Sequence, residues 1–227
     1  MVWITLLLVF AQKPVDGFQP RTYKHMPYRL YVPPSYDKAR AYSLVLWLHG
    51  AGSVGNDNFK QMSGASLRGT HTWTTPEVQA AHPAFVLAPQ AQRDWTVEFQ
   101  TVLELLNSVE QEFNIDKTRI YIAGQSMGGH GTWEFITARP DLFAAAIPLC
   151  GWGDATRANV IAHIPIWAFH GEADPTVPAA RSRVMIEAIR RAGGKPLYTE
   201  YKGVGHEVWL KAFQEKGLVE WLFAQHK

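Results

Sequence analysis

Along this chain, short continuous apolar runs alternate with stretches whose apolar residues recur every three or four positions. The continuous runs fall at 28–32, 44–48, 85–88, 120–123, 144–149, 166–169 and 197–201, and their β-branched and aromatic content predicts strands. The run 44–48 (Leu-Val-Leu-Trp-Leu) is apolar on both faces, as a central parallel strand requires. Between the runs, Phe99, Val102, Leu103, Leu106, Val109 and Phe113 share one helical face. Val184, Met185, Ala188, Ile189 and Ala192 share another, which stops at Gly193-Gly194. Regular alternation of strand and helix argues for an α/β architecture, a mainly parallel sheet with helices on both faces. With no internal repeat, low-complexity tract or linker, residues 18–227 read as one domain.

The first residues do not fit this alternation. Met1 to Ala11 are nearly all apolar and end in Val9-Phe10-Ala11, the small-residue pattern of a signal cleavage site. The run is too short to span a bilayer and lacks a basic start. Residues 1–17 therefore read either as a signal-peptide remnant, which points to a periplasmic or extracellular protein, or as a first edge strand. A cytoplasmic location stays open.

Composition narrows the class. The chain has 227 residues, 47% of them apolar, which suits a globular domain with a substantial core. A net charge of +2 without a basic run gives no footprint for nucleic acid or an anionic membrane surface. The single cysteine, Cys150, rules out an intrachain disulfide and a cysteine-rich metal site, and its place at a strand end points to packing. Asn56, Asp57 and Asn58 look like metal ligands, but no further acid stands at ligand spacing, so they read as a solvated turn. The oligomeric state leaves no mark on the sequence.

The candidate chemistry sits at strand ends. Gly124-Gln125-Ser126-Met127-Gly128 follows a strand-like run and precedes a helical one, the setting of a nucleophile elbow. Glycines two positions either side of the serine remove the collisions that so sharp a turn would cause. The Ser126 hydroxyl is then raised above the sheet, and the Met127 amide faces the place where an oxyanion would form. An acid and a histidine should follow in that order. After the 166–169 run come Glu172 and Asp174; Asp174 is preferred because it lies further into a loop stiffened by Pro175 and Pro178. After the 197–201 run comes Gly205-His206. Of nine histidines, His206 alone opens the loop after the last strand. His49 and His170, in His-Gly pairs at strand ends, suit packing or support of neighbouring groups. A second oxyanion donor is expected from His49-Gly50-Ala51-Gly52, with the Ala51 amide preferred and Gly52 the alternative.

These blocks together resemble a known family. Leu48-His49-Gly50-Ala51-Gly52, Gly124 to Gly129, His170-Gly171-Glu172-Ala173-Asp174 with Val177-Pro178, and Gly205-His206 are similar to the motifs of α/β-hydrolase serine esterases. The likeness is nearest to the small bacterial esterases grouped with polyhydroxybutyrate depolymerases, feruloyl esterases and dienelactone-hydrolase-like proteins. Residues 21–33 resemble their N-terminal hairpin. The resemblance implies Ser126 as nucleophile, Asp174 as acid and His206 as base, with no metal or organic cofactor. Cys150-Gly151-Trp152-Gly153-Asp154 departs from the family, in which a run of glycines is common there; Trp152 is expected to narrow or line the pocket.

Trp95, Trp152, Trp209 and Gln125 are the substrate-binding candidates, Trp95 first because it resembles a pocket tryptophan of related esterases. Only residues 151–164 separate two strands where lipases insert a lid, which predicts an open, lidless cleft suited to short-chain or exposed esters, whether small molecules or polymer-borne. The readings of different class are a prolyl oligopeptidase-like serine peptidase and a non-catalytic binding protein on a hydrolase fold. Fold and motifs do not name the natural substrate.

Overall fold

A computed structural model describes residues 17–227 as one eight-stranded sheet flanked by helices. The signal-or-strand reading of the N-terminal segment falls on residues 1–16, outside the described residues. The strands are β1 (Phe18–Tyr23), β2 (Met26–Tyr31), β3 (Tyr42–Leu48), β4 (Ala84–Pro89), β5 (Ile115–Gln125), β6 (Ala145–Leu149), β7 (Trp167–Gly171) and β8 (Leu197–Tyr201). Their order across the sheet is β1-β2-β4-β3-β5-β6-β7-β8. The first two form a hairpin that joins β4 antiparallel, and every later pairing is parallel. All seven predicted strands are present. The hairpin adds an eighth, β1, whose register runs from Phe18 opposite Tyr31 to Tyr23 opposite Met26. Its alternating polar residues hid it from a search for continuous apolar runs.

The helices are α1 (Leu67–His71), α2 (Pro76–Ala81), α3 (Trp95–Glu112), α4 (Met127–Ala138), α5 (Ala158–Ile161), α6 (Ala180–Arg191), α7 (Trp209–Ala212) and α8 (Leu218–Phe223). The two-residue period of a strand sends alternate side chains of β3 into two cores. Leu44, Leu46 and Leu48 pack with α3 to α6 on one face, whereas Val45 and Trp47 pack with α7 and α8 on the other. Every residue of β3 and β4 is buried, which explains why β4 is wholly apolar and β3 has only Ser43 as a small polar residue beside Tyr42 at its start.

On α3 the predicted stripe is in place, with Val102, Leu103, Leu106 and Val109 buried. On α6 the stripe needs correction. Val184 is 54% exposed, and the buried face is Ser182, Met185, Ile186 and Ile189. Between β6 and β7 the chain makes only a short 3-10 turn (Ala155–Arg157) and α5, whose Ala158 and Ile161 join the core rather than roof the cleft. Among the described residues, this segment holds no lid.

Candidate active site

Strand β5 runs directly into α4, and Ser126 is the hinge between them. Its backbone sits at φ 55° and ψ −116°, a left-handed conformation costing roughly 1–3 kcal/mol in a residue with a side chain. The crowding that demands glycine is visible. A Cβ at Gly124 would come 2.2 Å from the Gly128 carbonyl oxygen, and one at Gly128 would come 1.9 Å from that of Leu48. The Ser126 amide is tied to the Leu149 carbonyl at 2.9 Å, so neighbouring parallel strands hold the turn.

Three strand ends bring Ser126, His206 and Asp174 into one hydrogen-bonded chain. His206 Nε2 lies 2.8 Å from Ser126 Oγ, and His206 Nδ1 lies 2.7 Å from Asp174 Oδ2. Asp174 Oδ1 accepts the Thr176 and Val177 amides at 2.8 and 2.9 Å. Burial alone pushes the Asp174 carboxyl up, but these amides and the His206 contact outweigh it and hold the group below its ordinary value. The acid is therefore ionised at neutral pH. Glu172 lies outside this chain; its carboxylate accepts the Gly203 amide at 2.9 Å and ties the β7 loop to the β8 loop.

His170 supports the acid from behind. Its Nε2 stands 2.8 Å from the Val177 carbonyl and 3.3 Å from Asp174 Oδ2, both acceptors, so Nε2 carries the proton. Nδ1 then accepts the Ser182 hydroxyl at 2.7 Å. Burial lowers the His170 basicity and keeps it neutral. Cys150, one residue beyond β6 at φ 41°, is buried with its sulfur within 4.8 Å of the Asp174 and His206 ligand atoms. Burial pushes its thiol up, so it stays protonated.

His49 shapes the opposite wall. Its Nε2 accepts the Ala91 amide at 3.0 Å, which places the proton on Nδ1, and Nδ1–H donates to the Gly50 carbonyl at 2.7 Å. The Ser53 amide holds the same carbonyl at 3.1 Å. In a trans peptide the C=O and the following N–H point in opposite directions. Fastening Gly50 O therefore turns the Ala51 N–H away from His49. Ala51 and Met127 each open a helical turn, so their amides have no acceptor within it, and both residues line the cleft beside Ser126. Gly52 is not part of that lining.

Burial lowers His49 to about 4 from an ordinary 6.5. An unfolded chain takes up a proton between those values that the folded one refuses, so this stability is complete above pH 6.5 and drains as pH falls towards 4. The loss amounts to about 3 kcal/mol. Urea midpoints for wild type and His49→Gln, compared at pH 7 and pH 4, check this. The wild type is expected to lose more stability on acidification, and equal losses would contradict it.

The cleft above these groups has a volume of about 510 Å³ and is lined by Ser126, Met127 and Ala51, by Trp152, by Thr176 to Pro178, and by Asp94 and Arg181. Trp152 is held flat against the His130 ring, 4.4 Å away at 8°, while His130 Nδ1 donates to the Trp152 carbonyl at 2.9 Å. The other three substrate-binding candidates are not in the lining. Trp95 is fully buried. As the first residue of α3 it packs on His49 at 4.8 Å and donates Nε1–H to the His49 carbonyl at 2.9 Å. Trp209 is buried edge-on to His206, 5.6 Å between ring centres, and so backs the histidine instead of facing solvent. Gln125 points into the interior beside Gly50.

Sequence reasoning passed over Asp94 and Arg181. Asp94 caps α3 through the Thr96 amide at 2.9 Å, a signal present in the sequence, whereas an isolated arginine on a helix carries none. Residues 56–58 also differ from a solvated turn. Asp57 accepts the Phe59 and Lys60 amides at 2.8 and 2.9 Å, and Asn58 is buried, with its carbonyl receiving Arg29 Nε at 2.8 Å.

Known proteins resemble this chain in sequence and fold. The model of the Esterase family matches residues 20–192. A solved thermostable esterase is 41% identical with a TM-score of 0.88, over 93% of this chain and 64% of its own. An uncharacterized secreted protein of Arthroderma benhamiae is 25% identical over 89% of this chain and 26% of its own length. A carboxylesterase of Arabidopsis thaliana is 23% identical over 74% of this chain and 85% of its own. The chain thus spans about a quarter of the secreted fungal relative and under two thirds of the thermostable esterase. Sheet order, elbow and neighbours together are those of the α/β-hydrolase fold.

Proposed function

This chain belongs to the Esterase family, and on that premise we propose that it is a serine carboxylesterase acting through an acyl-enzyme on Ser126. The observation that carries this reading is the chain of hydrogen bonds from Ser126 through His206 to Asp174 at a strand-to-helix elbow. As Ser126 Oγ attacks the ester carbonyl carbon, His206 Nε2 takes its proton. Asp174 holds the imidazole tautomer and stabilises its charged form. The carbonyl oxygen, now carrying the displaced electron pair, is met by the Met127 and Ala51 amides. Collapse expels the alcohol, which receives the proton from His206, and water then cleaves the acyl-enzyme by the same route. The domain spanning residues 18–227 supplies every group used. Export is proposed as well, supported by a relative named as secreted; no described helix is long and apolar enough to cross a membrane.

The open cleft sets the expected substrates. Without a lid an acyl chain stays largely in water, so each further methylene gains only a fraction of the roughly 0.8 kcal/mol that full burial yields. Among 4-nitrophenyl esters, kcat/KM is expected to peak at about four carbons or fewer and to fall steeply beyond about eight. The rate should not jump as substrate passes its solubility limit, because nothing has to be displaced. Acetate, butyrate, octanoate and palmitate esters, each with wild type and Trp152→Gly, test this. Efficient palmitate hydrolysis by the wild type would overturn the open-cleft reading. A shift to longer chains in the glycine variant would identify Trp152 as the length limit.

A further inference from the structure

The cleft is charged at its two ends, and its length follows from the strand order. Asp94 stands after β4, Ala51 after β3, Ser126 after β5, Trp152 after β6, and Arg181 at the start of α6, just after the β7 loop. At about 4.8 Å per strand, the floor extends two strands, about 10 Å, from Ser126 towards the Arg181 end and two strands the other way to Asp94.

The two charges differ in how they are occupied. Asp94 Oδ1 accepts both the Thr96 amide and the Thr96 hydroxyl, at 2.9 and 2.7 Å. Arg181 is exposed and, among the described residues, makes no ion pair or side-chain hydrogen bond. Two other arginines of α6 are paired: Arg183 grips Glu200 with two contacts at 2.8 and 2.5 Å, and Arg191 faces Glu187 at 3.8 Å. Arg190, also without such a partner among the described residues, is not in the cleft lining. Nor do the carboxylates around that end claim it. Asp174 is committed to His206 and to two amides, Glu172 to the Gly203 amide, and Asp154 to Thr156. A guanidinium with all its donors free, on the wall of a cleft that also holds the Ser126 hydroxyl, matches a planar anion.

We infer that Arg181 is a specificity-determining residue, selecting esters that carry a carboxylate or similar anion on the portion lying over Trp152 and Val177. This rests on the esterase reading above. Asp94 at the far end disfavours the opposite orientation, so the two charges together set the direction in which a charged ester lies.

The test compares matched esters that differ only in charge. On the acid side these are 4-nitrophenyl hydrogen glutarate and its methyl ester; on the alcohol side, 4-carboxyphenyl butyrate and its methyl ester. At low salt the wild type is expected to prefer the anionic member of at least one pair by about threefold to tenfold in kcat/KM, mostly through KM. Arg181→Gln should remove that preference, Arg181→Glu reverse it, Arg181→Lys retain most of it, and Asp94→Asn increase it. Added salt should weaken the preference in the wild type. Because both esters of a pair are measured on one preparation, loss of folded enzyme cancels from the ratio. Ratios in Arg181→Gln equal to those of the wild type for both pairs would overturn the inference. Failure to hydrolyse any of the four esters would instead overturn the esterase reading beneath it.

Discussion

Ser126→Ala is expected to lower kcat on 4-nitrophenyl butyrate by about 10⁴- to 10⁶-fold, the range seen when a serine hydrolase loses its nucleophile. The fold should persist. The side chain loses only an oxygen whose partner is His206 Nε2, and the Cβ that suffers at φ 55° is present in both residues. A variant that unfolds in urea within about 1 kcal/mol of the wild type, yet no longer reacts covalently with a fluorophosphonate, would separate lost chemistry from lost structure. More than a few per cent of residual esterase activity would remove Ser126 from the role of nucleophile. A binding protein on this fold would show neither the activity nor the labelling in the wild type.

Asp174→Asn is expected to cost about 10⁴-fold in kcat, while Glu172→Gln should stay within about twofold of the wild type. The difference follows from hydrogen-bond polarity. Asp174 accepts at both oxygens: His206 Nδ1–H at Oδ2, and the Thr176 and Val177 amides at Oδ1. An asparagine can keep the two amides only by turning its NH₂ towards His206. The imidazole then has to accept at Nδ1 and carry its proton on Nε2, where it cannot take one from Ser126. Among the described residues the Glu172 side chain makes one hydrogen bond, to the Gly203 amide, which a glutamine oxygen reproduces. Kinetics of the two variants on one ester decide the matter; a crippled Glu172→Gln beside an active Asp174→Asn would reverse the assignment.

Much of this molecule could be read along the chain because the constraints behind it act over short distances. A strand buried on both faces carries a continuous apolar run, so β3 from Leu44 onward, β4 and β6 announce themselves. The strand-to-helix elbow needs glycine two residues either side of Ser126, since a Cβ there would meet backbone about 2 Å away. Chain order placed Asp174 and His206 in loops after successive strands, and parallel neighbours β7 and β8 bring such loops together.

What the chain left open depends on the direction in which each side chain leaves its element. Trp95, Trp152 and Trp209 all follow strands in sequence, yet only Trp152 reaches the cleft; helix phase turns Trp95 onto His49, and packing turns Trp209 onto His206. Val184 belongs to a plausible apolar stripe but faces solvent, because the face of α6 that packs into the core carries Ser182, Met185, Ile186 and Ile189 instead. The work of His49 and His170 lies in which ring nitrogen faces which acceptor, a relation to residues 42 and 12 positions away. Arg181 shows the same limit most plainly. Its charge is written in the sequence, but its position on the cleft wall without a carboxylate partner is a property of the assembled structure, set where loops from β4 to β7 converge.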